Sequence, residues 1–350
     1  MAKPKFEKFK QDEVKDQHQI LTDRIIQKME EAVQYETPWF KNTTTPPHNP
    51  VTKTRYKGIN FISLLTAGFE DPRFYTYNNI QKLAEETGEK IHLKKGEKGL
   101  PVFKAMQKTF TSEDKDTGEE KSFSIWRQVY AGTVFNATQI EGIAPLEVKH
   151  NSIMTVNEEL SKIIESMVNL SGLQVEHHHK GQAFYVPSRD TMCLPHIEHF
   201  KSSQLYQRTA AHELGHATGH EKRLNRKLTG SFGSADYAYE ELVAELSSYF
   251  MGAELGFEYD SRTHENHAAY LKSWLEALKN DKNLIFKASS AASKAVEYQI
   301  NIKKEYYNEL TPEEIAQRQE KVQAVNPDKI ILESANDDAQ VTQPKKLKFG

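Results

Sequence analysis

The chain has 350 residues, 37% of them hydrophobic and 27% charged, with a formal net charge of −3 and a mean hydropathy of −0.70. That length suits two ordinary domains, and the near-neutral balance excludes a uniformly basic nucleic-acid coat. The one cysteine, Cys193, excludes an internal disulfide framework, and neither a secretion signal nor a membrane-length apolar run is present, so the expected location is cytoplasmic.

Residues 12–34 carry apolar side chains at helical spacing (Val14, Ile20, Ile25, Ile26, Met29, Val33) and predict a helix. The text then changes character. Between residues 38 and 60 aromatic and basic residues alternate on a segment too rich in Pro and Gly for a helix. Phosphates attract Lys and Arg, and unpaired bases stack on aromatic faces, so Trp39, Arg55, Tyr56, Lys57 and Asn60 are candidates for single-stranded DNA. A helix capped by Asn78 or Asn79 follows. Next comes a glycine-punctuated basic turn over 92–99, in which Lys94, Lys95 and Lys98 could meet phosphates. Between residues 41 and 110 there are twelve Lys or Arg against six Asp or Glu, so a basic stretch sits inside a near-neutral chain. Residues 101–110 and 122–135 predict a long hairpin with an acidic tip at 111–121, and 140–151 reads as a linker.

The strongest chemical signal is His212-Glu213-Leu214-Gly215-His216, an HExxH motif. Ser202 and Ser203 are N-cap residues ahead of Leu205, Tyr206, Ala210, Ala211 and Leu214, with Phe200 available as a staple, so the motif lies on a helix. His212 and His216, one turn apart, can grip one metal ion, and Glu213 is rotated off that face but near enough to take a proton from a water. Small Gly215 and Ala217 let another backbone pass, and Gly219 offers a stop before a polar loop over 221–230.

Catalytic zinc requires a third protein ligand and an open position. Residues 239–250 predict a second helix with Leu242, Leu246, Tyr249 and Phe250 on its apolar face. If Glu241 points at the metal, Glu245 lies one turn on, placed to receive a ring N–H of a ligand histidine. Glu240 rivals Glu241, because pattern alone does not fix helix phase to one residue. His220 is a further candidate, while Lys222 occupies the place of the third histidine in the other common HExxH geometry. A last helix is expected over 312–324, then a polar, disordered tail over 326–350.

Several short motifs occur together in one order. They include Pro38-Trp39, Asn49-Pro50, Tyr56-Lys57-Gly58-Ile59-Asn60, Lys95-Gly96-Glu97-Lys98-Gly99, Val134-Phe135-Asn136, His212 to His220, Arg223-Leu224-Asn225-Arg226 and Tyr239-Glu240-Glu241-Leu242. With them the chain resembles the ArdC-type antirestriction proteins of conjugative plasmids and related mobile elements, relatives of which include plasmid primase-associated TraC proteins.

The resemblance implies an α+β fold, with a single-stranded-DNA-binding domain over 8–142 and a zincin-like metallopeptidase domain over 150–310. It implies protection of incoming DNA from host restriction, zinc held by His212, His216 and Glu241, and Glu213 as catalytic base acting on a protein or peptide. The family's aromatic after the second histidine is Ala217 here, a difference of packing rather than ligation. Residues 183–186 and 191–194 then make sense as a hairpin whose edge pairs with an extended substrate, and Tyr185, Tyr237 and Tyr239 are possible oxyanion donors.

Overall fold

A computed structural model describes residues 11–35, 45–113, 120–146, 158–179, 182–230, 234–257, 267–311 and 313–315. Trp39, the hairpin tip over 114–119 and the tail over 326–350 lie outside the described residues, as does most of the expected helix over 312–324.

The first helix, α1 (Gln11–Tyr35), buries Leu21, Ile25 and Met29, one turn apart on one stripe. It packs on α7 (His267–Asn280), and His18 wedges its ring between Phe103 and Phe286, at centroid distances of 4.9 and 4.4 Å. Gly58, at φ 56°, turns the chain into α2 (Ile59–Leu65), a conformation that a side chain would strain. After β1 (Phe74–Thr76), α3 (Tyr77–Thr87) begins on Thr76, whose hydroxyl accepts the Asn79 N–H at 3.2 Å. This corrects the expected cap: Asn79 is the reciprocal partner in a capping box, not the cap itself.

The short β2 (His92–Leu93) pairs with β5 (Ile140–Glu141), so the expected linker over 140–151 opens with an ordered strand and a buried Ile140. The long hairpin is present as β3 (Leu100–Glu113) and β4 (Glu120–Asn136), and with β1 it forms an antiparallel sheet in the order β1-β4-β3. Its register shifts between Val102 and Phe103. There the Asn60 side chain accepts the Phe103 N–H and donates to the Phe103 carbonyl, both at 2.7 Å, fastening α2 to the bulge.

The second half runs α4 (Glu158–Ser171), β6 (Gln174–His178), β7 (Phe184–Val186), β8 (Thr191–Pro195), α5 (Ser203–Ala217), α6 (Ala235–Leu255), α7 and α8 (Leu284–Asn308). The β7–β8 hairpin was expected; β6 was not, and it lies parallel to β8 to give the order β6-β8-β7. All five β8 residues are buried, as a central strand requires. Buried side chains from α1, α2, α4, β8, α5, α6, α7 and α8 form one continuous core. Each buried Leu or Ile in it contributes about 1.5–3 kcal/mol. The fold is mixed α+β, and among the described residues no helix is long and apolar enough to cross a membrane.

Candidate metal centre

Two capped helices build the site. The Ser202 hydroxyl accepts the Leu205 N–H at 3.2 Å and starts α5, while Phe200 meets Tyr206 across that start at 5.3 Å. The Ser234 hydroxyl accepts the Tyr237 N–H at 3.2 Å and starts α6. The helices touch at Gly215, where a Cβ would fall 2.3 Å from Ser247 Oγ and 3.0 Å from Ala244 Cα. Gly215→Ala is therefore expected to push α6 away and destabilise the fold by about 1–3 kcal/mol. An unchanged urea midpoint would show that the contact does not set the helix spacing.

This close approach brings His212, His216 and Glu241 together, with one ligand atom from each within 4.8 Å of the others. Nε2 of His212 and Nε2 of His216 each lie 3.6 Å from a Glu241 oxygen. Their Nδ1 atoms face other carboxylates, His212 toward Glu245 at 3.4 Å and His216 toward Glu240 at 3.3 Å. A ring proton on each Nδ1 leaves both Nε2 lone pairs aimed at one point. Glu240 is thus behind His216 rather than beside Glu241, and it is clamped by Arg226, whose Nε and Nη2 donate at 2.9 and 2.7 Å. Arg226 also donates to the Gly215 carbonyl and to Thr218 Oγ1, which ties the loop after α5 to the helix end.

The donor set suits a divalent ion. Glu213, Glu240, Glu241 and Glu245 are all buried, and Arg226 is the guanidinium that the described contacts place among them. Burial opposes charge on His212, but its hydrogen bonds to Glu241 and Glu245 and the nearby Glu213 outweigh that and hold the imidazole at about 10, so an ion taking Nε2 must displace the proton there and leave the one on Nδ1. Burial raises the Glu213 carboxyl, countered in part by His212 and His216 and by the backbone N–H of Tyr185. Burial also works against Glu241, yet His216, His212 and the Tyr237 hydroxyl keep it below the usual carboxylate range.

Other candidates are placed elsewhere. His220 faces Asp190 at 3.7 Å, beyond the end of α5. The hydroxyl of Tyr185, one of the three possible oxyanion donors, donates to Asp190 at 2.7 Å and is contacted by Arg223; its backbone N–H is what reaches Glu213. Tyr239 is half-buried against the main core, and Tyr237 alone of the three has its hydroxyl on a ligand candidate. The sequence reading gave no role to Asp190, Arg223 or Arg226. The Arg223 side chain is fully buried, pairs with Asp190, and donates through Nε to the Ala217 carbonyl at 2.6 Å, joining the β7–β8 turn to the end of α5.

Of the residues expected to meet DNA, Lys57, Lys94, Lys95 and Lys98 are exposed, with Lys94 Nζ donating to the Thr138 carbonyl at 2.8 Å. Arg55 is exposed but paired with Glu254 on α6. Tyr56 is half-buried against Leu64, Phe74, Leu100 and Val134, where it packs rather than projects. The Asn60 amide is occupied by Phe103, so its part is structural.

An HExxH helix crossed by a glutamate-bearing helix beside a small mixed sheet defines a zincin-like metallopeptidase domain, and residues 162–291 match the family model so described. Residues 15–135 match the model for the N-terminal domain of anti-restriction factor ArdC. The chain belongs to the ArdC family of antirestriction proteins. It is similar to the crystal structure of the antirestriction ArdC protein from plasmid R388 in its metal-free form, with a TM-score of 0.62 and 32% identity over 82% of this chain and 98% of that one. The Mn(II)-bound structure of that protein gives 0.59 and 30% over 82% and 97%. The Uncharacterized protein y4eC of Sinorhizobium fredii is 33% identical over 81% of this chain and 91% of its own length. An Escherichia coli DNA primase TraC is 36% identical over 85% of this chain, which spans only 28% of that primase.

Proposed function

We propose that this antirestriction protein is a zinc-dependent peptidase that also binds single-stranded DNA, with the peptidase site in 150–310 and the DNA surface in 8–142. The observation that carries the first part is the convergence of His212, His216 and Glu241 with Glu213 buried beside them. Two imidazoles and a carboxylate are a catalytic zinc donor set. An ion held there supplies Lewis acidity, acidifying a water and polarising a peptide carbonyl.

The chain's own residues do the rest. Glu213, its carboxyl raised by burial, accepts the proton of the attacking water and returns it to the amine nitrogen that leaves. The Tyr185 N–H holds that carboxylate in place. Glu245 and Glu240 hold the His212 and His216 rings in one tautomer, and the Tyr237 hydroxyl steadies Glu241. The short β7, with Phe184 exposed, is an edge strand on which an extended peptide can add. Hydrolysis of an unfolded protein substrate should stop on chelation and return with zinc; cleavage indifferent to chelation would remove this reading.

Exposed Lys57, Lys94, Lys95 and Lys98 support the second part. Binding to single strands should be sequence-tolerant and fall with salt, each lost phosphate contact lowering the slope of log K against log salt by about 0.7. In a fluorescence-anisotropy titration the Lys94→Ala/Lys95→Ala variant is expected to bind more weakly with a shallower slope. An identical slope would place the DNA elsewhere.

A further inference from the structure

Five of the chain's fourteen histidines fall in two short stretches, His177-His178-His179 and His196 with His199. The fold brings them to one end of the second sheet. β6 runs parallel to β8 with His178 opposite Pro195, and the His196 N–H donates to the His178 carbonyl at 3.1 Å. One residue further along each strand, the His179 and His196 rings stack at 4.6 Å. The chain then makes a single 3-10 turn, Ile197–His199, closed by the His199 N–H on the His196 carbonyl at 2.9 Å. That turn returns His199 to within 6.1 Å of the His179 ring and carries Glu198 with it. One ligand atom from each of His179, Glu198 and His199 lies within 4.8 Å of the others, the same convergence that marks the HExxH centre.

We propose that His179, Glu198 and His199 form a second metal site, separate from the HExxH centre, that takes a first-row divalent transition ion. All three are exposed, so no core packing accounts for their convergence. Imidazole nitrogens favour zinc and copper over the magnesium or calcium that all-oxygen sites take, with copper bound more tightly than zinc. Three donors at the surface leave the remaining positions to water or to His196, whose ring lies against His179. An ion there would clip the end of β6 to the turn that leads into α5. His177, 5.6 Å from His196, and His178, 6.2 Å from the edge-strand Phe184, place the clip beside the strand expected to receive substrate.

The test is a titration of the untagged full-length chain with Zn2+ and with Cu2+, followed by calorimetry and, for copper, by electron paramagnetic resonance. The wild-type protein is expected to bind two equivalents, with nitrogen hyperfine structure on the second copper. His179→Ala/His199→Ala should keep the wild-type melting temperature and one equivalent, and weaken the second at least tenfold. His212→Ala should retain the second. Two undiminished equivalents in the His179→Ala/His199→Ala variant, or a wild-type chain that binds a single ion lost on His212→Ala, would overturn the proposal.

Discussion

Glu213→Gln is expected to keep the metal and lose hydrolysis by about 10²–10⁴-fold, the range over which a positioned general base acts. The amide matches the carboxylate in shape and still meets the Tyr185 N–H, but it cannot accept the water's proton. Glu213 is not among the converging ligand atoms of His212, His216 and Glu241, so the ion should stay bound. Single-turnover cleavage beside metal content measures both halves. Cleavage at the wild-type rate would assign the proton to another group and dismiss the mechanism.

The second large effect is on stability. Asp190 and Arg223 form a buried pair beneath the β7–β8 turn, and the turn residue itself holds a left-handed φ of 50°. Asp190→Asn leaves the guanidinium without its counter-charge, and losing one partner of such a pair costs about 3–5 kcal/mol. The loss should depend on pH in a defined direction. Burial opposes the Asp190 charge, but hydrogen bonds from Arg223 and Tyr185 outweigh it and hold the carboxyl below its usual range. A carboxylate depressed on folding contributes stability that is complete above its unfolded pKa, near 3.9, and drains away as pH falls through the lower folded value. The wild-type advantage over Asp190→Asn should therefore be full at neutral pH and shrink below about pH 4. A gap that stays constant down to pH 2 would mean that shape, not charge, holds the turn.

The helical site was legible in the sequence because its signals are local. A serine cap, an i, i+4 histidine pair and an apolar stripe specify α5 without reference to the rest of the chain, and Glu241 lies on α6, the helix packed most closely on it among the described residues. The position of Glu240 was not legible, since one residue of helix phase separates the carboxylate that converges with His212 and His216 from one that lies behind His216. The structure fixes that phase through Arg226, fourteen residues away, which holds Glu240 against His216.

Long-range partners account for the other differences. β6 has no apolar alternation of its own and is a strand only because β8 offers it a parallel edge. Asn60 and Tyr56 look like DNA contacts in a basic, aromatic segment, but the β-bulge at Phe103 and the small core around Leu64 claim them. Arg223 and Arg226 stood in a recognisable motif with no assigned task, because the groups they join, Asp190 and Glu240, lie far from them in the chain.

The central claim, that His212, His216 and Glu241 hold one catalytic zinc ion, is tested most directly by metal analysis of the purified, desalted chain beside His212→Ala. Desalting strips the exposed His179, Glu198 and His199 cluster, which fills only under titration, so the expected result is one tightly held equivalent of zinc in the wild type, retained in His179→Ala/His199→Ala and absent from His212→Ala. Zinc that survives His212→Ala undiminished, or a wild-type protein whose activity tracks manganese instead, would contradict it.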